Sequence, residues 1–329
     1  MPTEAAIEVI KPGLATSVQD AGRPGYYNVG IPLSGALDQY ALRVANLLVG
    51  NDEGAAVLEA SLLAPELVFR APGIVAIAGA EATPKLNGEA RPRNESFAVK
   101  AGDRLTFDFM RSGARSYIAV AGGIDVPIVL GSRSLYGLGA LGGFSGRKLA
   151  AGDVLPVGKP KPGARAGRSL PGDLTPSYPK SLELRVMTGL YFHRITDESA
   201  KTFFEDTWTV APEADRIGYR YRKGRPLAFR ERKQPFGAGS DPSNIVDAGY
   251  PYGSIQVPGG LEPIILHRDA VSGGGYAMIG TVISADMDRV AQMQPNNLAR
   301  FVAVDMTTAL KARAEYKARE ARLRSTLSA

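Results

Sequence analysis

Short apolar runs follow one another closely along the chain, and most of them are bounded by glycine, proline, asparagine or aspartate. Runs this short are typical of strands rather than helices, and RLTFDF also alternates apolar and polar residues as a half-buried strand does. With 38 glycines and 23 prolines to break the runs, the sequence predicts a mainly β, barrel-like protein with few helices. The predicted strands include IVAIAG (74–79), RLTFDF (104–109), YIAVAGG (117–123), LELRVM (182–187), SIQVP (254–258), PIILH (263–267), TVIS (281–284) and RFVAV (300–304).

The segment VGIPLSGALDQYALRVANLLVGN (29–51) joins a loop to a helix predicted over about 36–49, where apolar residues recur every three or four positions. Ser34 can cap the first turn, which places the acid Asp38 one turn into the helix. A helix start offers backbone N–H groups and a partial positive charge. Those groups suit a bound anion or carbonyl, and they equally suit nothing more than the cap, so the local sequence leaves both interpretations open.

Three further helices are predicted. One spans about 197–205 and begins after Thr196, which can cap it; another spans about 286–294. The segment 308–327 is rich in Ala, Lys, Arg and Glu and has only a thin apolar side. It predicts a surface helix that either frays or docks on a partner.

Residues 158–180 hold a dense mixture of proline and glycine without periodicity. Such a composition is typical of a linker. The sequence therefore predicts an N-terminal β-rich part at 1–157, a linker at 158–180, and a C-terminal β-barrel part with a final helix at 181–329.

Composition narrows the function classes. The chain has 329 residues, no cysteine and a formal net charge of +6. The absence of cysteine excludes disulfides, thiolate nucleophiles and cysteine-based metal sites, and it fits a reducing compartment. Basic residues are scattered without a stripe of interleaved aromatics, so nucleic-acid binding is not predicted. No apolar run is long enough for a membrane span and no signal peptide is evident, so we expect a cytoplasmic protein.

Several common catalytic motifs are missing. The chain has no G-x-x-x-x-G-K-[ST] phosphate loop and no G-x-S-x-G nucleophile elbow. GLGALG (137–142) matches a dinucleotide fingerprint literally, but no apolar helix follows it, so a glycine-rich turn is the better interpretation. The two histidines, His193 and His267, are far apart in sequence, and no metal site is predicted.

Two glycine-rich polar loops are the best candidates for chemistry. In IAVAGGIDVPIVLGSRSLYG (118–137), Arg133 lies between two serines and can clamp a carboxylate or carbonyl, although a surface arginine in a turn fits equally. In ILHRDAVSGGGYAMIGTVISADM (265–287), Asp269 precedes three consecutive glycines. Glycines there allow positive φ, so their N–H groups can form an anion-binding nest, with a flexible hairpin as the alternative.

Taken together, the stretches 13–59, 118–153, ADRIGYR (214–220), GSIQVPGG (253–260) and 269–286 resemble the biotin-dependent carboxyltransferase family. That family includes the C component of 5-oxoprolinase, also called allophanate hydrolase subunit 2 or KipA, and is similar to the carboxyltransferase part of urea carboxylase. The resemblance implies a cyclophilin-like β-barrel architecture in two subdomains. It also implies a companion protein, the B component of 5-oxoprolinase, also called allophanate hydrolase subunit 1.

The same resemblance supplies the candidate site. It gives the positions, and the chemistry of the side chains suggests catalytic roles for Arg133, which would steady a transferring carboxylate, and for Asp269, which would orient or deprotonate an amide N–H. The other positions that match family motifs are assigned to substrate binding: Gln19, Asp20, Arg23, Ser34, Gly35, Asp38, Gly122, Gly123, Ser132, Arg216, Gln256, Gly274, Gly275 and Tyr276.

Two departures from the family pattern put the usual substrate in question. Where the family often reads D-R-Q-T-T-G-G-Y-P, this chain has Ala270 and Val271 after the aspartate. Where many members carry P-G-P-Q, it has Thr188-Gly-Leu-Tyr191. Both changes remove polar groups from the predicted site.

The family offers three functions. A carboxyltransferase would use carboxybiotin from a biotinylated partner chain, since this chain has no Met-Lys biotinylation motif and holds no covalent cofactor. A 5-oxoprolinase-type complex would instead use ATP to open a lactam. A KipA-like regulator would bind a kinase inhibitor without catalysis. We expect an enzyme subunit for a small amide, urea or lactam that works only with its companion.

Overall fold

The computed structural model of the protein describes residues 6–327, which form two compact units. Each unit is built from discontinuous parts of the chain. Of the described residues, unit 1 takes 6–23, 34–178 and 318–327, and unit 2 takes 24–33 and 179–317.

The proline- and glycine-rich stretch predicted as a linker is mostly part of unit 1. Its side chains Leu170 and Leu174 are buried, and the Ser96 N–H donates to the Arg168 carbonyl at 2.8 Å. Without helical or strand periodicity the segment still packs, because its leucines remove apolar surface from water. The chain passes to unit 2 only after Tyr178, so the predicted linker at 158–180 is corrected.

Unit 1 is built from two antiparallel sheets. The first has the order β11-β1-β4-β9-β6-β7 and the second the order β2-β3-β10-β5-β8. The strands are β1 Ala6–Lys11, β2 Ala15–Gln19, β3 Val57–Ser61, β4 Glu66–Phe69, β5 Gly73–Gly79, β6 Pro84–Leu86, β7 Glu89–Ala90, β8 Ser96–Val99, β9 Arg104–Phe107, β10 Arg115–Val120 and β11 Val154–Pro156.

The core of unit 1 is one apolar cluster to which both sheets contribute side chains. Val9 and Leu67 come from the first sheet, and Leu58, Ile77 and Ile118 come from the second. Burial alternates along β1 and β4, so alternate residues of these strands point into the cluster. In β3 and β10 successive residues are buried, because both faces of these strands are covered. Helix α1, Gln39–Leu48, contacts β5 and β10 of the second sheet.

Unit 2 is built around a closed barrel of seven strands with the order β12-β19-β16-β17-β14-β13-β20. The barrel closes through a parallel pairing of β12 with β20. A separate two-stranded ribbon pairs β15 with β18. The strands are β12 Ser181–Thr188, β13 Trp208–Val210, β14 Gly218–Arg222, β15 Asn244–Gly249, β16 Ser254–Gln256, β17 Ile264–Leu266, β18 Gly273–Tyr276, β19 Met278–Val282 and β20 Leu298–Ala303.

The longer helices are α1, α2 Asp197–Glu205, α3 Met287–Ala291 and α4 Met306–Leu327. Thr196 caps α2 as predicted, because its hydroxyl accepts the Ser199 N–H at 3.2 Å. Helix α3 is shorter than predicted. Most residues of α4 are exposed, which confirms a surface helix.

The expected mainly β architecture with few helices is thus confirmed, and the expected barrel is the closed one of unit 2. None of the helices within residues 6–327 has the length and apolar character needed to span a membrane.

Candidate functional site

A buried carboxylate organises the predicted site residues of unit 1. Asp20 follows β2 and is 9% exposed. Its Oδ1 accepts hydrogen bonds from the Gly22 N–H at 2.7 Å, the Ser132 hydroxyl at 2.6 Å and the Ser134 hydroxyl at 2.5 Å. Its Oδ2 accepts the Arg133 N–H at 2.6 Å. Asp20 therefore fixes the 132–134 segment to the end of β2, and its own oxygens are occupied.

The segment before Arg133 is a tight turn. Val129 and Ser132 exchange backbone hydrogen bonds, and Leu130 and Gly131 between them have φ of 50° and 76°. Positive φ at both central residues is the signature of a type I′ turn. With the turn on one side and Asp20 on the other, the backbone of Arg133 is held in place.

The Arg133 side chain, in contrast, is accessible. Its Nη2 pairs with Asp125 Oδ1 at 2.5 Å, and the two side chains are 29% and 53% exposed. Ion pairs of this exposure contribute little free energy, so an incoming anion can replace the aspartate at low cost. Arg133 is the predicted unit 1 residue best placed to meet a ligand.

An apolar cavity of about 330 Å³ lies beside this turn. The Gly143 N–H, at its edge, donates to the Arg133 carbonyl at 3.1 Å. A volume of this size suits a small molecule. The lining residues are Val126, Pro127, Val129, Gly142, Gly143, Phe144, Ser145, Gly146 and Pro156.

Gln19 and Arg23, predicted to bind substrate, are enclosed by the protein itself. They are 0% and 1% exposed. Arg23 Nη2 donates to the Ser134 carbonyl at 2.6 Å, and Gln19 Nε2 donates to the Leu135 carbonyl at 3.2 Å. Both side chains thus support the segment that presents Arg133.

The start of α1 differs from the prediction. The N-cap is Asp38, whose carboxylate accepts the Ala41 N–H at 2.8 Å, and the helix begins at Gln39 rather than near 36. Ser34 lies earlier, with φ of 49° and no exposed surface. At Gly35, a Cβ would lie 2.7 Å from Gly22 N, so this glycine is required by a close approach of two backbone segments. The predicted Ser34 cap is therefore corrected.

The backbone N–H groups that precede α1 are not open to a ligand. The Leu37 N–H donates to Glu59 Oε2 at 2.8 Å, and the Asp38 N–H donates to the Tyr117 hydroxyl at 2.8 Å. The Tyr117 hydroxyl in turn donates to Glu59 Oε2 at 2.9 Å. Glu59 and Tyr117 are almost completely buried. Of the two interpretations of 29–51, the geometry supports the capped helix.

Burial and the nearby carboxylates of Glu59 and Asp38 raise the pKa of Tyr117 well above its usual value. Its hydroxyl therefore stays protonated and can keep donating to Glu59. Sequence reasoning missed both residues. The available signal was a charged Glu59 inside the apolar strand β3, where a buried carboxylate must find a partner.

Gly122 and Gly123 serve the backbone rather than a ligand. At Gly122, with φ of 97°, a Cβ would lie 2.0 Å from the Gly158 carbonyl oxygen. At Gly123, with φ of 73°, the nearest atom to such a Cβ would be Ala56 O at 3.5 Å, an ordinary contact. The double glycine therefore lets residues 122 and 158 approach each other.

We expect Gly122→Ala to lower the free energy of unfolding by about 3 kcal/mol, because it adds a backbone clash to an unfavourable φ. Gly123→Ala is the matched control and should cost about 1 kcal/mol, from φ alone. Urea denaturation followed by circular dichroism measures both. Equal losses would contradict the assigned close approach.

In unit 2, Arg216 and Asp269 form a two-point ion pair. Arg216 Nε lies 2.8 Å from Asp269 Oδ2 and Nη2 lies 3.1 Å from Oδ1, and the side chains are 17% and 7% exposed. The Asp269 N–H also donates to the Arg216 carbonyl at 3.0 Å. Both carboxylate oxygens are therefore held in place by Arg216, which supports an orienting role for Asp269.

The three consecutive glycines do not form a nest. Residues Gly273–Tyr276 are strand β18 in extended conformation, paired with β15, and none of these glycines has positive φ. Gly274 is needed because a Cβ there would lie 3.1 Å from the Tyr250 ring. The predicted anion-binding nest is therefore wrong, because these glycines form a strand of the β15–β18 ribbon.

Tyr250 links the remaining predicted residues. Its hydroxyl donates to the Gly274 carbonyl at 2.5 Å and accepts the Tyr276 N–H at 2.8 Å, and the Gln256 side chain also hydrogen-bonds it. Burial raises the pKa of Tyr250, and the bonds from Tyr276 and Gln256 oppose that shift. The structure thus brings Gln256, Gly274 and Tyr276 together around a tyrosine that sequence reasoning missed.

The histidine and acidic side chains that the structure describes do not form a metal site. His267 is completely buried, and its Nδ1 accepts the Arg268 N–H at 2.9 Å. Among residues 6–327, no group of three or more histidine or carboxylate side chains is arranged to hold a metal ion. The GLGALG stretch is a turn region, with a bridge between Tyr136 and Leu141.

Unit 1 thus holds a buried polar network and unit 2 a closed seven-stranded barrel, and comparison with known proteins assigns the class. Of the solved structures, the urea carboxylase of Kluyveromyces lactis superposes with a TM-score of 0.91 at 32% identity, covering 99% of this chain and 30% of that one. The family model for the carboxyltransferase domain, subdomain A and B, matches residues 29–303. The chain belongs to this carboxyltransferase-domain family.

Similar proteins carry different functions. The C component of the Escherichia coli 5-oxoprolinase is 37% identical over 307 residues, covering 93% of this chain and 94% of the relative. The urea amidolyase of Lachancea kluyveri is 36% identical over 319 residues, covering 92% of this chain. The chain spans only 17% of that amidolyase and 16% of the one from Saccharomyces cerevisiae.

Proposed function

We propose that this chain is a subunit of an enzyme complex that opens or modifies a small amide, with a lactam as the first substrate class to test. The observation that carries this proposal is the match to the C component of the Escherichia coli 5-oxoprolinase, which extends over 94% of that relative. The urea amidolyases are matched over less than a fifth of their length. The proposed complex contains a companion chain that corresponds to the B component of 5-oxoprolinase.

Arg133 and its neighbouring cavity support a binding role for this chain. The cavity of about 330 Å³ has room for a small amide. The backbone of Arg133 is bonded to the lining residue Gly143, and the Arg133 side chain carries an accessible positive charge. A pre-positioned cation stabilises negative charge that develops on a carbonyl oxygen or a transferring carboxylate. Asp20 acts through the backbone of Arg133 and is a positioning residue.

Asp269 enters this proposal as the partner of Arg216, because both carboxylate oxygens accept N–H bonds from that arginine. In a lactam-opening complex, ATP would supply activation of the amide. In the carboxyltransferase alternative, carboxybiotin from a partner chain would supply the carboxyl group, and the charge of Arg133 fits a carboxylate.

The first experiment is to purify the tagged chain from its native host, identify co-purifying proteins by mass spectrometry and probe them with streptavidin. A stoichiometric companion without biotin, together with lactam-dependent ATP turnover, would support the proposal. A biotinylated companion would replace it with carboxyl transfer to a urea-like acceptor. A companion that supports neither reaction would favour a regulatory protein.

We expect Arg133→Ala to lower kcat/KM of the reconstituted complex about 100-fold, the loss typical of removing one donor to a developing negative charge. The melting temperature should hardly change, because the exposed pair with Asp125 contributes little stability. Arg91→Ala, which removes a comparable exposed pair with Glu89, is the control and should leave turnover unchanged. Normal turnover in the Arg133 variant would refute its assignment.

A further inference from the structure

Arg194 of unit 2 is a buried arginine whose hydrogen-bonding capacity is only partly used. Arg194 lies in a short helical turn after β12, and the residue is 6% exposed. Its Nη2 donates to the carbonyls of Pro242 at 2.7 Å and Asn244 at 3.2 Å. Its Nε and Nη1 are buried and have no hydrogen-bond partner among the described residues. Unsatisfied buried donors on a charged group are costly, so they call for an explanation.

The charge of Arg194 is also uncompensated. Within residues 6–327 no carboxylate forms an ion pair with it, and the charged group that acts on it most strongly is Arg232, another cation. Burial and Arg232 together lower the pKa of Arg194. Arg232 itself donates to the Asn244 carbonyl at 3.3 Å and, in the same described range, likewise has no acidic partner. Two arginines therefore converge on one carbonyl without an anion between them.

The neighbouring Arg230 shows the ordinary arrangement for this segment. Its Nη2 pairs with Asp197 at 2.7 Å, and both side chains are at least half exposed. The other arginines nearby in sequence, Arg222 and Arg225, also have acidic partners. Among the described arginines of this segment, Arg194 and Arg232 thus differ from Arg222, Arg225 and Arg230, which have acidic partners.

The surroundings of Arg194 connect it to the predicted site residues of unit 2. Its guanidinium lies 5.7 Å from the centre of the Tyr191 ring. Tyr191 packs against the apolar cluster that contains Tyr250, whose hydroxyl is bonded by Gln256 and by the backbone of β18. Tyr191 therefore connects Arg194 to the group of residues around Tyr250.

We infer that Arg194, assisted by Arg232, forms a second site, in unit 2 and separate from the Arg133 cavity of unit 1, that binds the carboxylate of a small amide or lactam acid. A carboxylate would accept hydrogen bonds from the unpaired Nε or Nη1 donors and neutralise the two converging charges. Such charge-assisted hydrogen bonds are stronger than bonds between neutral groups. Because these atoms are enclosed, the ligand must displace a covering segment. Residues 231–237 form no helix or strand and are mostly exposed, so they can move at low cost. This inference rests on the proposed function for the substrate class.

The test is calorimetric titration with 5-oxoproline, which carries a carboxylate, and with 2-pyrrolidone, the same ring without one. Both titrations use the chain alone and the chain in its complex. We expect 5-oxoproline to bind more tightly than 2-pyrrolidone, with affinity about tenfold weaker in Arg194→Gln and about threefold weaker in Arg232→Gln. Arg230→Gln is the matched control and should bind as the unaltered protein does. Arg232→Gln keeps the test decisive if Arg194→Gln fails to fold.

Equal affinity for the two rings, or unchanged 5-oxoproline affinity in both variants, would overturn the inference. Competition by inorganic phosphate stronger than by 5-oxoproline would overturn it in favour of a phosphate site. The proposed function is judged separately by ATP turnover. Carboxylate binding that depends on Arg194 without lactam-dependent turnover would refute the function alone, whereas turnover with binding indifferent to Arg194 would refute this inference alone.

Discussion

Asp20→Ala is expected to lower the free energy of unfolding by about 3 kcal/mol or more, because it leaves several buried donors without an acceptor. These donors are two backbone N–H groups and the hydroxyls of Ser132 and Ser134. The loss should concentrate at the 129–134 turn, where amide hydrogen exchange is expected to accelerate. Turnover of the complex should fall with it, since the turn presents Arg133.

Asp20→Asn tests whether the charge of Asp20 or only its size is needed. The amide keeps the size of the carboxylate, but its NH₂ group faces donors at one of the two oxygen positions. We therefore expect it to be nearly as destabilising as alanine. Asp52→Ala is the matched control, because Asp52 is 79% exposed and pairs only with an exposed lysine. Losses below about 1 kcal/mol in both Asp20 variants, the range of surface substitutions, would show that the network is not needed.

The second large effect is expected at the Arg216–Asp269 pair. Arg216→Met should cost about 3–5 kcal/mol, because it leaves the buried carboxylate of Asp269 without its cation. Asp269→Leu should lower the free energy of unfolding by a similar amount, because it leaves the Arg216 guanidinium without its carboxylate. The double variant should lose much less than the sum, since neither charge then remains. Urea denaturation followed by the fluorescence of the single tryptophan, Trp208 in unit 2, gives the coupling energy.

Activity of the same variants decides the role of Asp269. If the pair is a clamp, the complex carrying the double variant should keep turnover within about tenfold of the unaltered protein, because the structure is restored without either charge. If Asp269 accepts a proton, the double variant should fold and yet be inactive. Arg300→Met with Glu183→Leu is the control cycle, and this exposed pair should show a coupling below about 1 kcal/mol.

Local patterns in the sequence were enough for most of the secondary structure. The alternation in 104–107 and the apolar runs at 74–79 and 182–187 fall in strands β9, β5 and β12. Helix α2 with its Thr196 cap was predicted to the residue, because capping and periodicity involve neighbours a few positions apart. The family motifs likewise identified the class of protein, since short strings of residues carry them.

The predictions that failed concern groups whose partners are distant in the sequence. The N–H groups before α1 are taken by Glu59 and Tyr117, which lie 22 and 79 positions away. The glycines of β18 are extended because β15 pairs with them. Neither outcome can be predicted from residues a few positions away.

The sequence by itself thus determined the strands, the capped helix α2 and the family, because these depend on short-range periodicity and motif strings. Only the tertiary structure decided which polar groups are hydrogen-bonded within the protein and which remain accessible. Asp20 is committed to Ser134, 114 positions away, whereas Arg133 keeps an accessible side chain. The physical reason is desolvation: a buried polar group must find a partner wherever the fold supplies one, and that choice is made by packing rather than by neighbouring residues.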